Sequence, residues 1–428
     1  MLLRDIFKNL SALIMGELVY KILNFISFII IARLLGAVGF GKLSIAISFV
    51  WLFNALADFG LKELLIRETA GKNPEYKKEY ASYVLGMRVL LATITFVLII
   101  AISLSITSLA KSFILILLMG ITLIFSSFTT FYKSIFHSFE KMEYEAFSQG
   151  VDSVLKLVLV FTILKWAKFD VFGAAAAILL SSLAAFIFTA IICKKVFLWP
   201  SIAFKLDAFR TLFKKSIPYF ILTFFCIINF RIDIIMVSWL LGDFEAGLIS
   251  AATKFVESML IFPFMVAVAL FPVMARISNS SISYLRKIYD KALRILFLAS
   301  LLIAFGLFFG VTYIVPFFFG KQYAASVFVS KILCLTLIPF SLKFLLERFL
   351  LIIQKPFAIF TTYFIATAMH ITLNLYFIPR VGFSGVAFST LISEFLIIFS
   401  FFYWVNKYMP KIDLGALKGQ PVIFDIEN

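Results

Sequence analysis

Twelve ionisable side chains lie inside stretches built otherwise of Leu, Ile, Phe, Val and Ala. The cations are Lys21, Arg88, Lys156, Arg231, Lys254 and Lys331, and the acids are Glu17, Asp58, Asp152, Asp233, Glu257 and Glu394. Each charge at mid-bilayer costs about 2.5–3.5 kcal/mol on insertion scales, so twelve facing lipid would be prohibitive. Most of them must face an interior cavity or a partner. Glu17 and Lys21 are four residues apart, as are Asp152 and Lys156, while Lys254 and Glu257 are three apart. These spacings put opposite charges on one helix face, where they neutralise each other or line a path together. Arg231 and Asp233 are two apart and point in different directions, and Lys331 has no acid three or four residues away. Arg231 and Lys331 are therefore the first candidates to meet an anionic ligand, followed by Lys21 and Lys254. Cations in a water-filled cavity suit a phosphate group, as point charges or through the guanidinium fork. Glu17, Asp58, Asp233 and Glu257 are the candidates to carry a coupling ion. Arg88, near the end of its stretch, is expected to snorkel to the interface.

Other chemistries find less footing. Gly36 to Lys42 matches GxxxxGK, but Leu43 follows where a phosphate-binding loop needs Ser or Thr for magnesium. Of the two histidines, His137 falls in a connection. His370 shares a helix face with Asn374, where it serves either as an interhelical hydrogen-bonding group or as a proton relay. Cys193, Cys226 and Cys334 are scattered in apolar stretches without a CxxC pair, so they form neither a disulfide framework nor a zinc site. No cofactor or metal is expected, and no connection is long enough to hold a catalytic domain. The chain is expected not to be an enzyme.

The elements that position the charges are membrane spans. Hydrophobic residues make up 63% of the 428 residues and charged residues 14%, against about 45–50% and 25% in a soluble domain. At about 20 apolar residues per crossing, the spans fall near 11–34, 42–62, 81–106, 111–134, 146–166, 171–193, 216–240, 246–273, 292–318, 323–348, 356–378 and 382–406. The first is too long for a signal-peptide core and has no cleavage site. Twelve crossings put both termini on one side, and that side's connections hold 26 Lys and Arg against 7 opposite. Cytoplasmic loops collect cations, so both termini are expected in the cytoplasm. The net charge of +16 thus reads as topology and anionic headgroups, with no nucleic acid partner.

The connection 194–215 divides the chain, and the two halves repeat. Residues 34–50 (LLGAVGFGKLSIAISFV) and 240–256 (LLGDFEAGLISAATKFV) share eight of 17 positions at an offset of 206, including Gly36/Gly242 and Gly41/Gly247. Six spans per half is an even number, so both halves insert the same way up, as parallel repeats do in some transporters. The expected architecture is an all-α polytopic membrane protein of about 12 helices in two pseudo-symmetric six-helix lobes around a central cavity. The lobes are residues 1–200 and 201–410, followed by a short cytoplasmic tail, 411–428.

Several stretches carry a resemblance. Residues 32–70, "FHSFEKMEYEAFSQGVDSVLKL" (136–157), "FRIDIIMVSWLLGDFEAGLISAATKF" (230–255) and "IPRVGFSGVAFSTLISE" (378–394) resemble polysaccharide biosynthesis flippases. These include O-antigen and lipid-linked oligosaccharide flippases of the multidrug/oligosaccharidyl-lipid/polysaccharide exporter superfamily. The resemblance implies two lobes in a V, with the first two helices of each lobe walling the cavity. Here those helices carry Glu17, Lys21, Asp58, Arg231, Asp233, Lys254 and Glu257. It further implies a polyprenyl-(di)phosphate-linked oligosaccharide, turned across the cytoplasmic membrane by alternating access. The expected partners are this lipid-linked sugar, membrane lipids and H+ or Na+, with the protein acting as a monomer. A multidrug and toxic-compound extruder of the same superfamily, working by sodium or proton antiport, is the alternative. An excess of cavity cations argues against its cationic substrates.

Overall fold

Helix is what an apolar chain adopts in lipid, because each backbone N–H and C=O must then be paired within its own segment. The computed structural model describes residues 2–110, 112–197, 199–261, 263, 282–353 and 355–408. Regular structure among them is helical throughout: α1 Leu2–Leu52, α2 Asn54–Asp58, α3 Leu61–Thr69, α4 Pro74–Ser105, α5 Thr107–Ala110, α6 Phe113–Ser138, α7 Glu143–Phe161, α8 Val171–Ile192, α9 Leu206–Leu241, α10 Asp243–Met259, α11 Ile282–Phe319, α12 Ser326–Leu335, α13 Leu337–Ile352, α14 Pro356–Val381 and α15 Gly385–Tyr408. The tail 411–428 and part of the span expected at 246–273 lie outside the described residues.

The protein is an all-helical polytopic membrane protein. Among the described residues, nine helical segments are long and apolar enough to cross a membrane. Two of them, Ile14–Thr69 and Pro356–Tyr408, run to 56 and 53 residues, more than twice the length of one crossing. Each is interrupted by a glycine in the left-handed half of backbone space, Gly36 at φ 68° and Gly382 at φ 68°. Side chains such as Leu302, Phe309 and Phe317 are exposed, as lipid-facing residues are. Polar caps set the turns between segments. Asn73 accepts from the Tyr76 amide at 2.8 Å, with Pro74 opening the helix, and Asp170 accepts from Phe172 at 3.0 Å.

The stretch expected as one span at 42–62 is broken. Helix α2 ends at Asp58, Phe59 takes φ 51°, Gly60 takes φ 72°, and α3 begins at Leu61. A left-handed Phe is an outlier that its surroundings must hold in place. Phe213 and Phe220 of α9 stack on its ring at 4.8 and 4.4 Å. A Cβ on Gly60 would stand 2.4 Å from that of Tyr219, so α9 runs directly against the break.

The chain forms two compact units, Met1–Gly247 and Leu248–Asn428. The boundary falls past α9, well after the basic connection, because α9 packs along α1, α2, α3 and α4. The connection itself lies on α4: the amides of Ser201 and Ala203 donate to Ser82 at 3.1 and 3.3 Å. A Cβ on Gly86 would meet the Ala203 carbonyl oxygen at 2.1 Å.

Candidate functional site

In the first unit the charges gather on facing stripes of α1 and α7. Glu17, Lys21 and Asn24 recur at i, i+4 and i+7 on α1, and Glu145, Gln149, Asp152 and Lys156 at the matching intervals on α7, so each set occupies one helix face. The helices approach closely because Gly16 leaves room: a Cβ there would lie 2.5 Å from that of Ala146. Across the seam, Gln149 donates to Glu17 at 3.1 Å and Lys156 to Asn24 at 2.8 Å. Lys21 lies 3.8 Å from Glu17, and Lys156 3.0 Å from Asp152. The two pairs expected from spacing are formed, and the seam extends each of them to the neighbouring helix. Lys156 also stands over the Tyr20 ring at 5.7 Å.

The seam continues beyond the charges singled out from the sequence, toward the helix ends. His137 lies in the last turn of α6 and pairs with Glu145 of α7. Lys62 and Lys133 belong to α3 and α6 and lie within electrostatic reach of Glu145 and Glu17. Lys62, Lys133, Glu145, Gln149 and Asn24 were missed as site residues. The signal available was the i, i+4, i+7 polar stripe at 17/21/24 and 145/149/152/156, which crosses the assumed start of the fifth span.

Arg88 does not snorkel. Its side chain is 0% exposed; it donates to Asp58 and to the Ser127 carbonyl and hydroxyl, the latter at 3.1 Å. The other oxygen of Asp58 accepts from the Gly60 amide at 3.1 Å. Asp58 thus ties the broken helix to α4, where a buried guanidinium needs both a countercharge and acceptors. On α9, Asp233 is buried and Arg231 half-buried.

In the second unit, Lys254 and Glu257 pair at 2.8 Å within α10. Lys331 of α12 is half-buried and stands over the Phe308 ring of α11 at 5.8 Å. Lys343, within the span expected at 323–348, lies inside α13. It donates to both oxygens of Glu394 on α15 at 2.8 and 2.7 Å, and both side chains are buried. His370 bridges helices: its Nδ1 meets the Ser393 hydroxyl at 2.9 Å and its Nε2 the Asn374 amide at 3.3 Å. Among the described residues, no group of three or more His, Cys, Asp or Glu is placed to hold a metal ion.

Residues 6–278 match the family of polysaccharide biosynthesis proteins. No curated protein matches. An inward-facing multidrug resistance MATE family transporter of the MOP superfamily superposes with a TM-score of 0.77 at 16% identity, over 94% of this chain and 96% of that one. The lipid II flippase MurJ, in an inward closed conformation, does so at 0.74 and 20% identity, over 94% and 90%. A MOP superfamily transporter from Pyrococcus furiosus does so at 0.61 and 14% identity, over 97% and 96%. At these identities the likeness is one of fold. The family match covers most of the chain, so this protein is a member of the polysaccharide biosynthesis protein family, with a MATE-like fold.

Proposed function

We propose that the protein is a flippase that turns a polyprenyl-(di)phosphate-linked oligosaccharide across the cytoplasmic membrane by alternating access. It crosses the membrane twelve times, with both termini in the cytoplasm. The observation that carries the substrate class is Lys331, a half-buried cation in an apolar helix with an aromatic ring beside it and no ion pair among the described residues. A lysine kept in a span without a carboxylate is retained for a ligand, and an anion is the ligand it suits. Arg231, Lys21 and Lys254 extend that role along α9, α1 and α10. The multidrug extruder reading shares the fold but requires a site that welcomes organic cations, which Lys331 would repel.

Glu17, Asp58, Asp233 and Glu257 are proposed to couple transport to a proton or sodium gradient. Three of them hold cationic partners, Lys21, Arg88 and Lys254, so any ion they take up competes with those pairs. The test is translocation of a fluorescent polyprenyl-diphosphate oligosaccharide in proteoliposomes. The wild type is expected to move it. Lys331→Ala and Arg231→Ala are expected to slow it at least tenfold with folded yield unchanged, and normal rates in both variants would remove the cation role. Translocation that survives collapse of both gradients would remove the coupling role.

A further inference from the structure

The connection between α8 and α9 is held against α4. Ser201 and Ala203 donate their amides to the hydroxyl and the carbonyl of Ser82, and the Ala203 carbonyl crosses over Gly86. Ser82 and Gly86 belong to the third and fourth turns of α4, a helix of 32 residues. At 1.5 Å per residue such a helix is about 48 Å long, against a hydrocarbon core of about 30 Å. When α4 is centred in the bilayer, these two turns fall at the edge of the core. The connection tied to them therefore lies at headgroup depth.

The side chains exposed there are of two kinds. Trp199, Ile202, Phe204 and Leu206 are large and apolar, with Phe204 and Leu206 exposed by 66% and 67%. Lys194, Lys195, Lys205, Arg210, Lys214 and Lys215 are exposed as well, and Asp207 is the one acid between residues 194 and 215. Trp199 is fixed in place: its ring stacks on Tyr132 at 6.0 Å, and Lys194 stands over it at 5.7 Å. Lys215 pairs with Glu68 at 3.2 Å. Lys195, Lys205, Arg210 and Lys214 make no ion pair within 4.0 Å among the described residues.

Water suits these cations but not the bared Trp, Ile, Phe and Leu side chains. The hydrocarbon core suits the apolar set and not the cations. The headgroup boundary accommodates both, with apolar groups reaching inward and cations meeting lipid phosphates. An excess of positive charge there selects lipids of net negative charge over zwitterionic ones.

We propose that the exposed face of this connection is a docking surface for anionic phospholipids. Trp199, Ile202, Phe204 and Leu206 seat in the boundary between headgroups and acyl chains, and Lys195, Lys205, Arg210 and Lys214 hold the lipid phosphates. The surface anchors the start of α9 to the membrane, whatever substrate the protein moves.

The test uses the full-length protein in nanodiscs of phosphatidylcholine and phosphatidylglycerol at one fixed ratio. One lipid or the other carries bromine on its acyl chains near the headgroup. Bromine quenches tryptophan fluorescence on contact, so the lipid beside Trp199 reports itself once Trp51, Trp166, Trp239 and Trp404 are replaced by Phe. Both brominated lipids are expected to quench Trp199, phosphatidylglycerol at least threefold more per brominated molecule. Lys195→Gln/Lys205→Gln/Arg210→Gln/Lys214→Gln is expected to make the two lipids quench equally, and so is high salt, which screens exposed charge. If the protein with four tryptophans replaced does not fold, the difference in quenching between the wild type and Trp199→Phe reads the same contact. Quenching by neither lipid puts the connection in water and overturns the surface. Equal quenching by both lipids with the cations intact, or a preference for phosphatidylglycerol that survives the Gln variant, overturns the role of the four cations. None of these outcomes depends on whether a lipid-linked sugar is moved, so this surface and the flippase reading fail separately.

Discussion

Gly41 and Gly247, counterparts at the 206-residue offset, make a reciprocal backbone contact. A Cβ on Gly41 would stand 1.8 Å from the carbonyl oxygen of Asp243, and one on Gly247 would stand 1.9 Å from that of Ala37. Ala37 and Asp243 are themselves counterparts at the same offset. When residue i touches j and the equivalent of j touches the equivalent of i, the surface is self-complementary. Duplicated sequence has therefore produced a contact of the kind a symmetric dimer makes, within one compact unit. No side chain fits there, because the neighbouring atoms are backbone.

Replacing either glycine by Ala should accordingly force the two segments apart. Overpacking of this kind costs about 1–3 kcal/mol, so Gly41→Ala and Gly247→Ala should each lower the apparent melting temperature in detergent. The double variant should fall by less than the sum, since one separation relieves both clashes. Unchanged melting in either single variant would show that the contact is looser than described.

Gly36 and Gly242 make the corresponding case for backbone conformation. They take φ 68° with ψ 178° and φ 110° with ψ −175°, a region open essentially to glycine alone at a cost of about 1–3 kcal/mol for other residues. The nearest atom to a Cβ on Gly242 is 3.8 Å away, so nothing there is crowded. Gly242→Ala should therefore destabilise through strain alone. Thermal unfolding measured beside Gly150→Ala, a helical position with nothing within 4 Å, separates strain from a general effect of added bulk.

Asp58→Asn and Arg88→Met should each damage folding more than transport chemistry. Removing one partner of a buried ion pair leaves an uncompensated charge and costs about 3–5 kcal/mol. The double variant Asp58→Asn/Arg88→Met should recover a large share of the folded yield lost by Asp58→Asn, measured by fluorescence-detected size exclusion. If the double variant folds no better than that single one, the pair is not the stabilising unit.

Lys343 and Glu394 invite the same cycle in the second unit, where the carboxylate accepts from the ammonium at both oxygens. Glu394→Gln should lower folded yield through the stranded lysine, and Lys343→Met/Glu394→Leu should restore much of it. Translocation rates per folded molecule should differ little between that double variant and the wild type. A transport defect at full folded yield would move the pair from scaffold to mechanism.

The sequence alone determined that this is a membrane protein, roughly how its spans are spaced, and that its halves repeat. These properties are local, since hydropathy acts over about 20 residues and the repeat is a matter of identity at fixed offset. It also placed the pairs Glu17/Lys21, Asp152/Lys156 and Lys254/Glu257, because three or four residues along a helix is one turn. The tertiary structure alone decided the partners that lie on different helices. Arg88 finds Asp58 across 30 residues, Lys343 finds Glu394 across 51, and His137 reaches Glu145 over the turn between α6 and α7. Those meetings depend on how each helix is rotated against its neighbours, which no spacing within one helix encodes. The same holds for Lys62 and Lys133. They lie at the ends of the spans expected at 42–62 and 111–134, and only the break at Phe59 and the full length of α6 place them on α3 and α6.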